Sequence, residues 1–94
     1  MKVKLSYSPN QKKKYRITFP NGKKIDFGAK GYEDYTTHKN ETRKSLYIAR
    51  HYKRENWLDY NTAGFWAFWL LWRRKTLTEA INDVKNVFGI DVET

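Results

Sequence analysis

Residues 63 to 72 read Ala63-Gly64-Phe65-Trp66-Ala67-Phe68-Trp69-Leu70-Leu71-Trp72, ten apolar or glycine positions in succession within a chain of 94. As a helix this run is about 15 Å long, roughly half of a hydrocarbon core near 30 Å, so no membrane span is expected. A helix that is apolar on every side must be enclosed by the rest of its domain or keep one face for a partner. The remaining elements are therefore expected to gather round it. Thr62 is placed to cap its start, and Arg73-Arg74-Lys75 put cations where the exposed carbonyls of its end favour them.

The N-terminal third supplies a sheet to cover one side. Lys2 to Tyr7 alternates polar and apolar residues, as do Tyr15 to Phe19 and Lys24 to Phe27. Asn21-Gly22 between the last two runs predicts a hairpin with a type I′ turn, both central residues at positive φ. Its inward positions are then Tyr15, Ile17 and Phe19 opposite Ile25 and Phe27. Tyr32 to Lys39 has no clear period. Asn40 as N-cap with Glu41 in the first turn predicts a helix over 41–54, with Ser45, Ile48, Ala49 and Tyr52 toward the core and Arg43, Tyr47, Arg50 and Arg54 on a basic face. Thr76 and Glu79 have capping-box spacing before Leu77, Ala80, Ile81, Val84, Val87 and Phe88, with Gly89 as the stop. Ile90-Asp91-Val92 can add a short strand. The pattern predicts one α+β domain over 1–94, a small antiparallel N-terminal sheet packed on three helices with the Trp-rich helix at the centre.

Charge divides the chain in two. Residues 1–56 carry fifteen Lys and Arg against five Asp and Glu, a net +10, whereas residues 57–94 carry four against five, a net −1. This asymmetry predicts a basic face for a polyanion. The candidate phosphate contacts are Lys12, Lys13, Lys14, Lys23, Lys24, Arg43, Lys44, Arg50, Lys53 and Arg54, with Tyr47 as a base-stacking ring among them. The reading requires these arginines to be free of Glu41, Glu55 and Asp59.

Catalytic chemistry finds little footing in the sequence. There is no cysteine, which excludes disulfides and thiolate metal sites and suits a reducing compartment. The two histidines, His38 and His51, lie in no familiar catalytic arrangement and read as surface residues beside basic neighbours. Glu33 and Asp34 point apart on any regular element, so they read as a turn cap or as partners for nearby lysines rather than an acid/base pair. No enzyme activity, metal or cofactor is expected. Gly28-Ala29-Lys30-Gly31 resembles a Gly-x-x-Gly nucleic-acid clamp, but it follows a strand rather than joining two helices. Met1-Lys2-Val3-Lys4-Leu5-Ser6 lacks the apolar run of a secretion signal, so an intracellular protein is expected.

A longer pattern carries a family resemblance. It comprises Phe27-Gly28-Ala29-Lys30-Gly31-Tyr32-Glu33-Asp34-Tyr35-Thr36, His38-Lys39, Tyr47-Ile48-Ala49-Arg50-His51, Glu55-Asn56-Trp57, Asn61-Thr62-Ala63-Gly64-Phe65-Trp66 and Trp69-Leu70-Leu71-Trp72. In this order the motifs resemble a family of short basic proteins of nucleocytoplasmic large DNA viruses, of the phycodnavirus and mimivirus kind. The resemblance implies a viral setting, in the infected host cell or the virion, and a role in handling the genome or in the capsid. It brings no catalytic residues. That family's pattern has Ser-Arg at Ala67-Phe68 and Asn-Lys-Pro near Arg73-Arg74-Lys75. An arginine at Phe68 implies that this face is not deep core, so Phe68 and Trp72 are expected as a contact for viral structural proteins. Two functions follow as expectations: a viral nucleic-acid-binding protein, or a minor capsid component acting through protein contacts.

Overall fold

In the computed structural model, which describes residues 1–94, the chain begins with three consecutive antiparallel strands, β1 (Lys2–Tyr7), β2 (Lys13–Thr18) and β3 (Lys24–Ala29). Leu5 pairs with Ile17 and Ile17 with Ile25, while Tyr15 pairs with Phe27, so the alternation seen in the sequence puts one apolar set on one face. Ile17, Phe19, Ile25 and Phe27 are buried as expected, and Tyr15 is half-buried. The opposite face carries Lys4, Arg16, Thr18, Lys24 and Asp26, none of them buried, so helices cover only one side.

The β2–β3 connection differs from the expected type I′ turn. Gly22 has φ 90° but Asn21 does not have positive φ, and the Gly22 N–H donates to the Phe19 carbonyl at 2.9 Å. A two-residue loop on Asn21-Gly22 would need residue 20 to donate its N–H to the Lys23 carbonyl, and Pro20 has none. The Phe19 N–H donates there instead at 2.8 Å, which makes Pro20, with φ fixed near −65°, the first central residue of a type I turn. The result is a type I turn over Pro20-Asn21 closed by Gly22 in the left-handed region, a three-residue hairpin loop.

Four helices follow: α1 (Tyr35–His38), α2 (Glu41–His51), α3 (Ala63–Ala67) and α4 (Leu77–Phe88). The short α1 falls where the sequence has no period. Asp34 creates it by accepting from the Thr36 N–H at 3.0 Å while its own N–H donates to Thr37 Oγ1 at 2.9 Å. Lys39, at φ 54°, stops it. Asn40 caps α2 through the Arg43 N–H, as read from the sequence, but the helix ends at His51 rather than residue 54. The His51 carbonyl takes both the Arg54 and Glu55 N–H groups, which turns the chain back. The core-facing set also differs: Ser45, Ala49 and Tyr52 are exposed, Ile48 is half-buried, and Tyr47 is the buried residue of α2.

The Trp-rich run is central, as expected, but it is not one α-helix. After Ala67 it continues as a π-helical segment over Phe68–Trp72, with the Arg73 N–H reaching the Phe68 carbonyl five residues back. Phe65, Trp66, Trp69, Leu70 and Leu71 are all buried. Sheet and α4 enclose them from one side, and α1 packs on the π segment from the other. Trp66 and Trp69 each donate their indole N–H to a carbonyl of the preceding loop, Tyr60 at 2.8 Å and Trp57 at 2.6 Å, so both rings are buried without an orphaned donor.

Thr76 caps α4 through the Glu79 N–H, and Gly89 ends it at φ 67°. Ala80 and Val84 are buried, whereas Val87, read as part of the apolar face, is exposed. The last strand, β4 (Asp91–Glu93), lies parallel to β1 and completes a sheet of order β3-β2-β1-β4. The architecture is α+β, a four-stranded sheet backed by helices. No helix is long and apolar enough to cross a membrane.

Candidate nucleic-acid interface

The predicted contact residues fall into three groups. Lys12 and Lys13 sit at the open end of the β2–β3 hairpin, where the Lys30 N–H donates to the Lys12 carbonyl. Lys23 and Lys24 lie at the turn end of the same hairpin, about 17 Å away at the rise of a strand. Arg43, Arg50, Lys53 and Arg54 are exposed along α2 and the turn after it. Lys13 of the first group lines a cleft, and Arg43 and Arg50 of the third line an adjoining groove that shares Tyr32, Glu33 and Trp72 with it.

Tyr32, exposed at 74%, stands at the mouth of this cleft. Arg43 and Arg50 flank it on the α2 side, and Lys13 on the sheet side. The cleft, about 310 Å³, is lined by Tyr32, Glu33, His51, Glu55 and the start of α3 among others. Neither Tyr32 nor Lys30 was among the sequence candidates. The signal available for both was the Lys30-Gly31-Tyr32 turn itself, a cation and an aromatic on a loop.

The three acids on which the basic face depends, Glu41, Glu55 and Asp59, are engaged elsewhere. Glu41 accepts the Tyr35 hydroxyl at 2.5 Å, which raises the Tyr35 pKa. One Glu55 oxygen lies 3.3 Å from His51 Nδ1 and the other accepts from Trp57 Nε1 at 3.0 Å. Asp59 accepts from the Asn61 N–H. None of these three acids pairs with an arginine, which meets the condition set by the sequence reading. Arg43 makes an exposed contact with Glu33 at 3.5 Å, while Arg50, Lys53 and Arg54 have no carboxylate partner.

Three of the expected contacts are structural instead. Lys14 Nζ lies 2.8 Å from Asp34 Oδ2, and Asp34 is only 4% exposed, so this cation neutralises the buried cap of α1. Lys44 Nζ donates to the Arg73 carbonyl at 2.8 Å and lies 4.7 Å from the Tyr35 ring centre, holding the C-terminal end of the π segment. Tyr47 is buried under Trp72 and His51 and offers no stacking platform to a ligand. Its hydroxyl pKa is pushed up by that burial.

The proposed protein contact is also covered. Phe68 and Trp72 are half-buried; the Trp57 ring stacks on Phe68 at 3.9 Å, and Tyr47 on Trp72 at 4.2 Å. Phe68 is therefore not the open anchor expected of it, because the loop after α2 folds over the helix face that the sequence left bare.

Both histidines depart from their reading as surface residues. His38 is half-buried beside Trp72, with Nδ1 accepting from the Asn40 N–H and Nε2 enclosed without a partner. Burial, helped by the Arg43 charge, lowers its pKa despite the opposing Glu33 and Asp34. His51 stacks on Tyr47 and faces Glu55. No three His, Asp or Glu side chains converge as metal ligands.

Fold and cleft together define a small α+β domain with one basic-rimmed cleft and an open sheet face. The chain belongs to a family of unknown function (DUF5754), whose sequence model matches residues 3–51. That stretch takes in β1 to β3, α1 and α2, hence both walls of the cleft mouth, and stops before the Trp-rich helix. No curated protein and no solved structure matches this chain.

Proposed function

We propose that this is a non-enzymatic binding protein whose cleft-side cations hold the phosphates of a nucleic acid, and that it handles a genome in the viral setting its motif order suggests. The observation that carries the reading is the set of cations left without carboxylate partners: Lys13 and Arg50, which each share a lining with the exposed Tyr32, and Lys12, Lys30, Lys53 and Arg54, exposed at the hairpin end and in the turn after α2. A cation with no carboxylate partner is free to neutralise a phosphate, which releases counterions condensed on the nucleic acid, so binding is driven by ion release and falls steeply with salt.

The test is a titration of DNA binding against salt, with the protein and its Arg50→Gln/Lys53→Gln/Arg54→Gln variant. Log affinity is expected to fall linearly with log salt. The variant's slope on duplex is expected to be shallower by about 0.9 for each phosphate that it no longer neutralises. Absence of binding at low salt, or a slope indifferent to the triple change, sinks the reading.

A further inference from the structure

We propose that the cleft seats one unpaired nucleobase bearing an amino group, so that this protein prefers single strands containing such bases to duplex. The proposal rests on the nucleic-acid reading above and deepens it.

At about 310 Å³ the cleft lies at the small end of the range, roughly 300 to 1,000 Å³, in which compact ligands are held. It has room for one ring system and none for a duplex. Its walls include Ala63, Ala67, Leu71 and Trp72, which offer apolar surface to the faces of a flat ring. Tyr32 at the mouth has its ring free, since it packs on no other aromatic. Such a ring is a stacking surface for the next base along the strand.

The Glu55 side of the cleft is chemically selective. Glu55 is fixed there by Trp57 Nε1 on one oxygen and His51 Nδ1 on the other, and it lies against Gly64, where a Cβ would overlap the carboxylate. A carboxylate has about four acceptor positions, of which these contacts use two. The remainder can accept an exocyclic amine, which cytosine, adenine and guanine present and thymine lacks. Of the other carboxylates lining the cleft, the buried Asp34 is taken up by Lys14 and the Thr36 N–H and hydroxyl, and Glu33 contacts Arg43. Charge is arranged to match: an acceptor in the cleft for the base, and Lys13 on its lining with Arg50 in the adjoining groove for its phosphates.

Plain phosphate attraction predicts the reverse preference, because duplex has the denser charge. The experiment compares fluorescence anisotropy for oligo(dC), oligo(dT) and a duplex of equal length at one low salt concentration. Oligo(dC) is expected to bind about tenfold more tightly than either, the scale of one stacked and hydrogen-bonded base. Ala63→Phe, which fills the cleft from an exposed helix position, is expected to erase that preference while keeping the salt slope. Should A63F not fold, Tyr32→Ala serves instead; it is expected to cost oligo(dC) about tenfold and duplex little. Steep salt-dependent binding with equal or greater affinity for duplex overturns the base site and leaves phosphate binding standing. Variants that keep the wild-type preference do the same. Failure of every ligand to bind overturns both.

Discussion

The ring of Tyr47 lies flat on that of Trp72, with centroids 4.2 Å apart and planes 3° from parallel. Trp57 continues the arrangement on the neighbouring turn, covering Phe68 at 3.9 Å and lying within 9° of parallel to Tyr47. These two rings from outside the Trp-rich helix are what close its second side. Tyr47→Ala is therefore expected to lower the free energy of unfolding by about 3–5 kcal/mol, the cost of emptying a large aromatic site. Tyr47→Phe, which keeps the stack, is expected to stay within about 1 kcal/mol of wild type. Chemical denaturation of the two variants checks this, and nucleic-acid affinity measured on Tyr47→Phe should be unchanged.

Lys14 and Asp34 make a second such division between charge and contact. Asp34 is 4% exposed and serves as the cap of α1 as well as the partner of Lys14. Its loss strands a half-buried ammonium and uncaps a helix, so Asp34→Ala is expected to cost about 3–5 kcal/mol. Lys14→Met is expected to cost less, because the carboxylate retains the Thr36 N–H and hydroxyl. Thermal melting of both variants orders them. Salt-titration slopes on duplex should be the same for Lys14→Met as for wild type, since that lysine is not offered to phosphate.

Gly64 and Glu55 are expected to be coupled in sign. Gly to Ala inside a helix is worth up to about 1 kcal/mol of stabilisation where the space is free. Here a Cβ overlaps the Glu55 carboxylate, and moving it gives up the hydrogen bonds to His51 and Trp57. Gly64→Ala is expected to be neutral or destabilising alone and stabilising in a Glu55→Ala background. A double-mutant cycle by denaturant unfolding reads the difference; additive effects would show that the carboxylate is not held against α3.

Elements with a strong period were legible from sequence, and relations between elements were not. The register of Tyr15, Ile17, Ile25 and Phe27 followed from alternation, and Thr76 and Gly89 bounded α4 as read. Of Glu33 and Asp34, read as a turn cap or lysine partners, Asp34 acts so, capping α1 and binding Lys14, whereas Glu33 contacts Arg43 instead of a lysine. What failed was choosing which side of α2 faces inward. Periodicity gave two plausible arcs, and the deciding factor was the large apolar face of Phe68 and Trp72, which recruits Tyr47 instead of Ala49 and Tyr52. The same rings hid the surface proposed as a protein contact. At the hairpin, Pro20 outvoted Asn21-Gly22, because it has no N–H with which to close a two-residue loop. The cleft was illegible for a related reason: Tyr32 and Glu55 come to its lining from loops with no period at all.

His38 sets the pH response. Its Nδ1 accepts from the Asn40 N–H, so the ring is neutral with its proton on Nε2, which is enclosed without a partner. Protonation would charge a ring held against Trp72 and Tyr35, with Arg43 and Lys14 opposing it more strongly than Glu33 and Asp34 relieve it once burial is included. The folded pKa is thus below 6.5, the value of the free side chain. Above that value both folded and unfolded states are neutral at this position, and the stability is complete. As pH falls below it, the unfolded chain takes up a proton that the folded chain refuses, so stability declines until the lower folded pKa is passed. Asp26, whose pKa is lowered by its hydrogen bond to Arg16, acts in a separate window, losing its contribution only as pH falls below 3.8. Denaturant unfolding across this range should therefore show two acid-side declines. His38→Gln should remove the upper one and leave the lower, and a wild-type curve flat between neutral pH and the carboxylate range would show that His38 is not held neutral.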